Sequence, residues 1–143
     1  MYSVEQAYNR YLKEVGGKIL SADNTNKEIK NVRKSVNITQ AELGQIVGLR
    51  RETITRIEKG NIHPTAKFLK EFTKTVGALK VVRDLLALDE VSRLKGQEFN
   101  APSFVFLSSC LDIPMQKLEL IFDIGVRRYQ KKRKKILKMV KEV

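Results

Sequence analysis

Apolar residues recur at helical spacing along nearly the whole chain, and no stretch of useful length alternates as a strand would. Val4, Ala7, Tyr8, Tyr11, Leu12 and Val15 line one face, with Ser3 and Gln6 as a capping pair and Gly16-Gly17 as the expected helix end. Ser21 to Asn26 reads as a polar linker, and Thr25 with Glu28 as a second capping pair before a helix whose inner face is Ile29, Val32 and Val36. From Thr39 to Val76 the pattern predicts three short helices, punctuated by Thr39 as a cap, Gly48 as a turn, Gly60 as a stop and Pro64 near a start. A further helix is expected from near Ala78 towards Leu94, presenting Leu79, Val82, Leu85 and Leu86. Lys95 to Pro102 reads as a connector. Beyond it come a short apolar helix over Ser103 to Leu111 and a longer one opened by Pro114, which carries Leu118, Ile121, Phe122, Gly125, Val126 and Tyr129. Its apolar stripe resumes at Ile136, Leu137 and Val140 after the run Lys131-Lys132-Arg133-Lys134-Lys135.

These elements describe an all-α protein in three parts. Residues 1–24 form an N-terminal amphipathic helix and linker, residues 25–94 a compact bundle, and residues 95–143 a helical C-terminal module with a basic tail. A chain of 143 residues can bury a modest core without disulfides. Hydrophobic residues at 42% and charged residues at 31% match a globular composition. No apolar run approaches the roughly 18 residues a membrane-spanning helix needs. The first six residues lack the order of a secretory signal, and Cys110 is the only cysteine, so a cytoplasmic location is expected.

A formal charge of +12 favours a polyanionic partner, and its placement is more telling than its sum. Residues 1–26 are neutral overall, residues 27–77 carry net +6, residues 78–123 net −2, and residues 124–143 net +8. Two segments therefore hold all the excess charge, and each is a candidate nucleic-acid surface.

The stretch from Thr39 to Gly60, TQAELGQIVGLRRETITRIEKG, satisfies the demands of two short helices locked at a steep angle. Leu43 and Val47 supply the inner face of the first helix, and Gly48 the turn. Leu49 is the apolar residue after the turn, and Ile54 and Ile57 form the inner face of the second helix. Gly44, costly in a helix by about 1 kcal/mol relative to Ala, points to close approach of the second helix's backbone. With Thr39-Gln40, Gly48, Ile54, Ile57-Glu58, Gly60 and Pro64-Thr65 in order and spacing, residues 29–77 resemble the Xre-like regulators, phage repressors and Cro proteins.

That resemblance implies a lambda-repressor-like bundle of about five helices, in which the helix from Arg51 to Lys59 enters the major groove of double-stranded DNA. It implies that Gln40 bonds a phosphate at a helix N-terminus. Arg51, Glu52 and Arg56, with Thr55 beside them, would then face base edges, where Arg suits guanine and Glu accepts from cytosine. Lys59, His63 and Lys67 would lie along the DNA backbone. Glu58 and Arg33 match a pair that ties the first helix to the recognition helix. The chain departs from the family at Arg50, where a Ser or Thr usually caps the recognition helix. Two cations, Arg50 and Arg51, at a helix N-terminus oppose the macrodipole, a penalty that nearby phosphate or guanine would offset.

The plainer reading of Glu52 and Arg56 is an i,i+4 surface ion pair. His63 reads as an exposed loop residue and Cys110 as a small buried hydrophobe, because one cysteine and one histidine cannot build a structural zinc site. There is no nucleophile with a histidine partner, no phosphate-cradling glycine loop and no metal-ligand spacing, so neither enzyme activity nor a cofactor is expected. A homodimer is expected, its interface built from Phe104, Phe106, Leu118, Ile121, Phe122 and Tyr129, with the lysines beyond tracking the DNA backbone. Repression is expected over activation on family grounds. Two rivals remain open: an interaction module such as an antitoxin or a transcriptional bridging factor, and a non-specific nucleic-acid binder working through the tail.

Overall fold

The computed structural model describes residues 1–141, and those residues contain seven helices and no strand. The first helix, α1 (Val4–Ser21), is capped by Ser3, whose side chain accepts from the Gln6 amide. It does not stop at Gly16-Gly17. Burying Ile19, which is 4% exposed, offsets the helix cost of the glycines, since a buried Ile contributes about 1.5–3 kcal/mol. The linker shrinks accordingly. Asn24, rather than Thr25, caps α2 (Thr25–Ser35) by accepting from the Lys27 amide. Ile29, Val32 and Arg33 are buried on α2, while Val36 becomes its half-buried C-cap.

The next two helices, α3 (Gln40–Val47) and α4 (Arg51–Lys59), end in left-handed glycines, Gly48 at φ 74° and Gly60 at φ 81°. The third unit expected before Val76 and the helix expected from Ala78 are one continuous helix, α5 (Ala66–Leu94), capped by Thr65. Gly77 lies inside it, where a Cβ would stand 3.0 Å from Tyr8 and 3.3 Å from Leu12. The missing side chain at Gly77 is what lets α1 pack closely across α5. Tyr2 and Tyr11 fasten the same contact by donating to one carboxylate oxygen of Asp84, at 2.9 and 2.5 Å.

After the connector come α6 (Phe104–Leu111) and α7 (Met115–Lys141). Asp112 caps α6 in the left-handed region, and Lys74 of α5 pairs with its carboxylate at 2.8 Å. The α7 helix runs beside α5 in the same direction, pairing Lys117 with Glu71, setting Gly125 against Val82 and bringing Arg133 and Tyr129 to Glu90. Leu118, Ile121 and Ile124 are fully buried in a core continuous with that of α1 to α5. This corrects the expected dimer surface: Leu118 and Ile121 lie inside the chain's own core, Phe122 is half-buried against it, and Tyr129 bonds Glu90. Phe104 and Phe106 remain exposed, together with Val105. Ile136 and Leu137 are exposed rather than packed, and the side chain of Val140 lies outside the described residues. Cys110 is half-buried against the core.

Candidate nucleic-acid interface

The helical pair α3 and α4 is held by contacts that the sequence makes unusually explicit. Thr39 accepts from the Glu42 amide while the Glu42 carboxylate accepts from the Thr39 amide, which completes a capping box on α3. Gly48 then turns the chain, and the Leu49 amide donates to the Gly44 carbonyl at 2.9 Å. A Cβ on Gly44 would stand 2.5 Å from the Leu49 carbonyl oxygen. The close approach is therefore to the turn before α4 and not to α4 itself. Leu49, the apolar residue after the turn, is 37% exposed, and its backbone rather than its side chain makes that contact.

On α4 the two faces divide cleanly. Ile54, Ile57 and Glu58 are buried, while Arg51, Glu52, Arg56 and Lys59 are exposed, as is Arg50 before them. Among the described residues none of these exposed groups is in an ion pair, so the Glu52–Arg56 surface pair does not form. Arg50 occupies the N-cap without a side-chain cap bond, as its residue type dictates. His63 and Lys67 are exposed beyond the end of α4.

Behind the exposed face runs a buried polar chain. Arg33 Nε donates to Glu58 Oε2 at 2.6 Å and Nη2 to Oε1 at 3.0 Å, while Nη1 reaches the Ile38 carbonyl at 2.8 Å. Glu58 Oε1 also accepts from Gln40 Nε2 at 3.0 Å, and Gln40 Oε1 accepts from the Thr55 hydroxyl at 2.9 Å. Gln40, assigned to a phosphate, and Thr55, assigned beside the base edges, are therefore tied to each other within the protein. One amide hydrogen of Gln40 is left for another acceptor. Asn26 latches the far end of α4 by donating to the Ile57 carbonyl at 2.6 Å. No local signal in the sequence marks Asn26, which lies 31 positions away from its partner.

The C-terminal helix contributes what sequence reading missed. Arg128 Nη2 donates to Glu42 Oε1 at 2.5 Å, and Arg127 stands 3.9 Å from Oε2. Burial pushes the Glu42 carboxyl up, but the Thr39 amide and the Arg128 guanidinium outweigh it and hold it below its ordinary range. Arg128 thereby joins Lys34, Asn37, Gln40 and Arg51 around a cleft of about 630 Å³ beside the start of α3.

The helix-turn-helix family profile matches residues 29–77, which span α2, α3, α4 and the first part of α5. A protein of Archaeoglobus fulgidus is 39% identical over 62 residues, 43% of this chain and 84% of its own length. A second, from Methanothermobacter thermautotrophicus, is 34% identical over 62 residues and 88% of its own length. A third, again from Archaeoglobus fulgidus, is 34% identical over 86% of its length. Each is named an uncharacterized HTH-type transcriptional regulator. No solved structure matches the chain significantly. With two helices locked across a left-handed glycine, an exposed arginine-bearing helix and these relatives, the chain belongs to the helix-turn-helix family of DNA-binding transcriptional regulators.

Proposed function

We propose that the chain reads a specific DNA site through α4 and acts as a homodimeric repressor by occupying promoter DNA. Residues 25–94 are the reading unit, flanked by an N-terminal helix and linker over residues 1–24 and a C-terminal module over residues 95–143. Arg51 and Arg56 take guanine acceptors, Glu52 accepts from cytosine, and Thr55 lies beside them. Arg50, Lys59, His63 and Lys67 meet the backbone, and Gln40 offers its remaining amide hydrogen to a phosphate. The observation that carries this reading is the division of α4. Its apolar side and Glu58 are buried, whereas Arg51, Glu52 and Arg56 are exposed and have no ion-pair partner among the described residues. Free cations on a rigid helix are costly to hold together unless an anion meets them, and a major groove supplies one.

Two copies would present α4 to successive major grooves about 34–36 Å apart on a roughly palindromic site. Exposed Phe104, Val105 and Phe106 on α6 offer the apolar surface for the pairing. The family is one of regulators and not of enzymes, and its cytoplasmic role requires no cofactor.

Selection of bound fragments from random DNA at a stated salt concentration tests the reading. The wild type should enrich a defined motif, and Arg51→Ala with Arg56→Ala should lose preference at the matching positions, by about 1–3 kcal/mol each. Enrichment of no motif would overturn it. Sedimentation of Val105→Asp with Phe106→Asp should give a monomer, and a persisting dimer would remove α6 from the interface.

A further inference from the structure

The face of α7 that touches the helix-turn-helix is also the face that carries its free lysines. Arg127 and Arg128 both turn towards Glu42, which sits in the first turn of α3. At 100° per residue, Lys131, Lys134, Lys135 and Lys138 follow on the same side as these two arginines. The opposite side holds Tyr129 and Arg133, both occupied by Glu90 of α5. The register thus places a lysine ridge on the side of α7 that Arg127 and Arg128 present to α3.

Three observations distinguish this ridge from a merely solvated charge run. All four lysines are exposed, and among the described residues none is in an ion pair. They lie on a continuous helix anchored at its root by Glu42, so their direction is set by the bundle. A cleft lined by Lys34, Arg51 and Arg128 lies between the root of the ridge and the start of α4, so cationic side chains stand at both of its ends.

From these we propose that the distal part of α7 is a second DNA-contacting element, which lies along the phosphodiester backbone flanking the site read by α4. The inference rests on the DNA-reading assignment of α4 and adds to it. From Arg128 to Lys138 the helix advances about 15 Å, long enough to reach several phosphates beyond the bases under α4. The lysines there are point charges without the planar fork of arginine, suited to phosphates and indifferent to base sequence. The ridge therefore supplies affinity and salt dependence, while α4 supplies preference.

The experiment compares full-length protein with a variant carrying Lys131→Gln, Lys134→Gln, Lys135→Gln and Lys138→Gln. Gln preserves helix propensity, and circular dichroism checks that the fold is kept. Binding is measured against ionic strength on the selected site, once with flanking duplex and once trimmed to the bases under α4. The wild type should bind the flanked duplex more tightly than the trimmed one. The variant should lose that difference, bind the flanked duplex roughly ten- to a hundredfold more weakly at moderate salt, and show a salt slope shallower by about 2–4, with the selected motif unchanged. An unchanged slope and affinity would overturn the proposal, as would loss of the motif itself. Unaltered DNA binding combined with lost sedimentation on phosphatidylserine vesicles would reassign the ridge to a membrane surface. A wild type that selects no motif would instead defeat the assignment of α4, so the two failures are distinct.

Discussion

Arg33 and Glu58 meet in a two-bond fork beneath the exposed face of α4, with side chains only 8% and 2% exposed. The pair fixes the angle between α2 and α4, and through Gln40 it also reaches the start of α3. Removing one partner leaves a buried charge without compensation. Arg33→Met should therefore destabilise the fold by about 3–5 kcal/mol in urea titration, whereas Arg33→Met with Glu58→Leu should recover much of that loss. A single variant that unfolds at the wild-type midpoint would deny the pair its anchoring role.

Two glycines in helices should respond in opposite directions to alanine. At Gly44 the added Cβ would stand 2.5 Å from a backbone carbonyl, and backbone cannot swing aside as a side chain tip can. Gly44→Ala should cost about 1–3 kcal/mol and loosen the turn. At Gly16 nothing lies within 4 Å and the helix continues through the position, so Gly16→Ala should raise stability by about 0.5–1 kcal/mol. Thermal melts of the two variants compare them directly.

Arg50 opposes helix stability where it stands, as an N-cap with no cap bond followed by a second cation. Arg50→Ser restores an acceptor for the free amides of α4 and should stabilise the fold by about 1 kcal/mol. The same change should weaken DNA binding and lower the salt slope by about 1, as expected for loss of one phosphate contact. A gain in both stability and affinity would place Arg50 away from DNA.

Acid should weaken the tie between α7 and α3. The Glu42 carboxyl is driven up by burial but held below its ordinary range by the Thr39 amide and Arg128. A carboxylate whose folded value is depressed contributes stability that is present above its unfolded value and lost as pH falls through the folded one. Glu42→Gln keeps a capping-box residue but not the charge. It should be less stable than wild type at neutral pH, with the difference shrinking as the solution is acidified. Urea titrations across that range measure it, and a pH-independent difference would mean that the ionised carboxylate is not the source.

Much of the helix-turn-helix is legible in the linear chain because its determinants are local. The cap at Thr39, the left-handed Gly48 and Gly60 and the buried Leu43, Ile54 and Ile57 each follow from spacing within a turn or two. Helix ends are less legible where burial competes with propensity. Gly16-Gly17 looks like a stop and a break is expected between Val76 and Ala78, yet Ile19 holds α1 together past the glycine pair, and Gly77 is the flat spot on which Tyr8 and Leu12 rest.

By itself, the sequence determined the all-helical class, the helix-turn-helix and the exposed cationic residues of its second helix, since these depend on the period of apolar positions and on the conformational limits of particular residues. Only the tertiary structure decided that α5 is a single strut, that Leu118 and Ile121 serve the chain's own core, and that Arg128 meets Glu42 across 86 positions. Such pairings arise when amphipathic helices choose among several apolar faces of similar quality. That choice depends on the shape of the assembled surfaces, which no short window of residues contains.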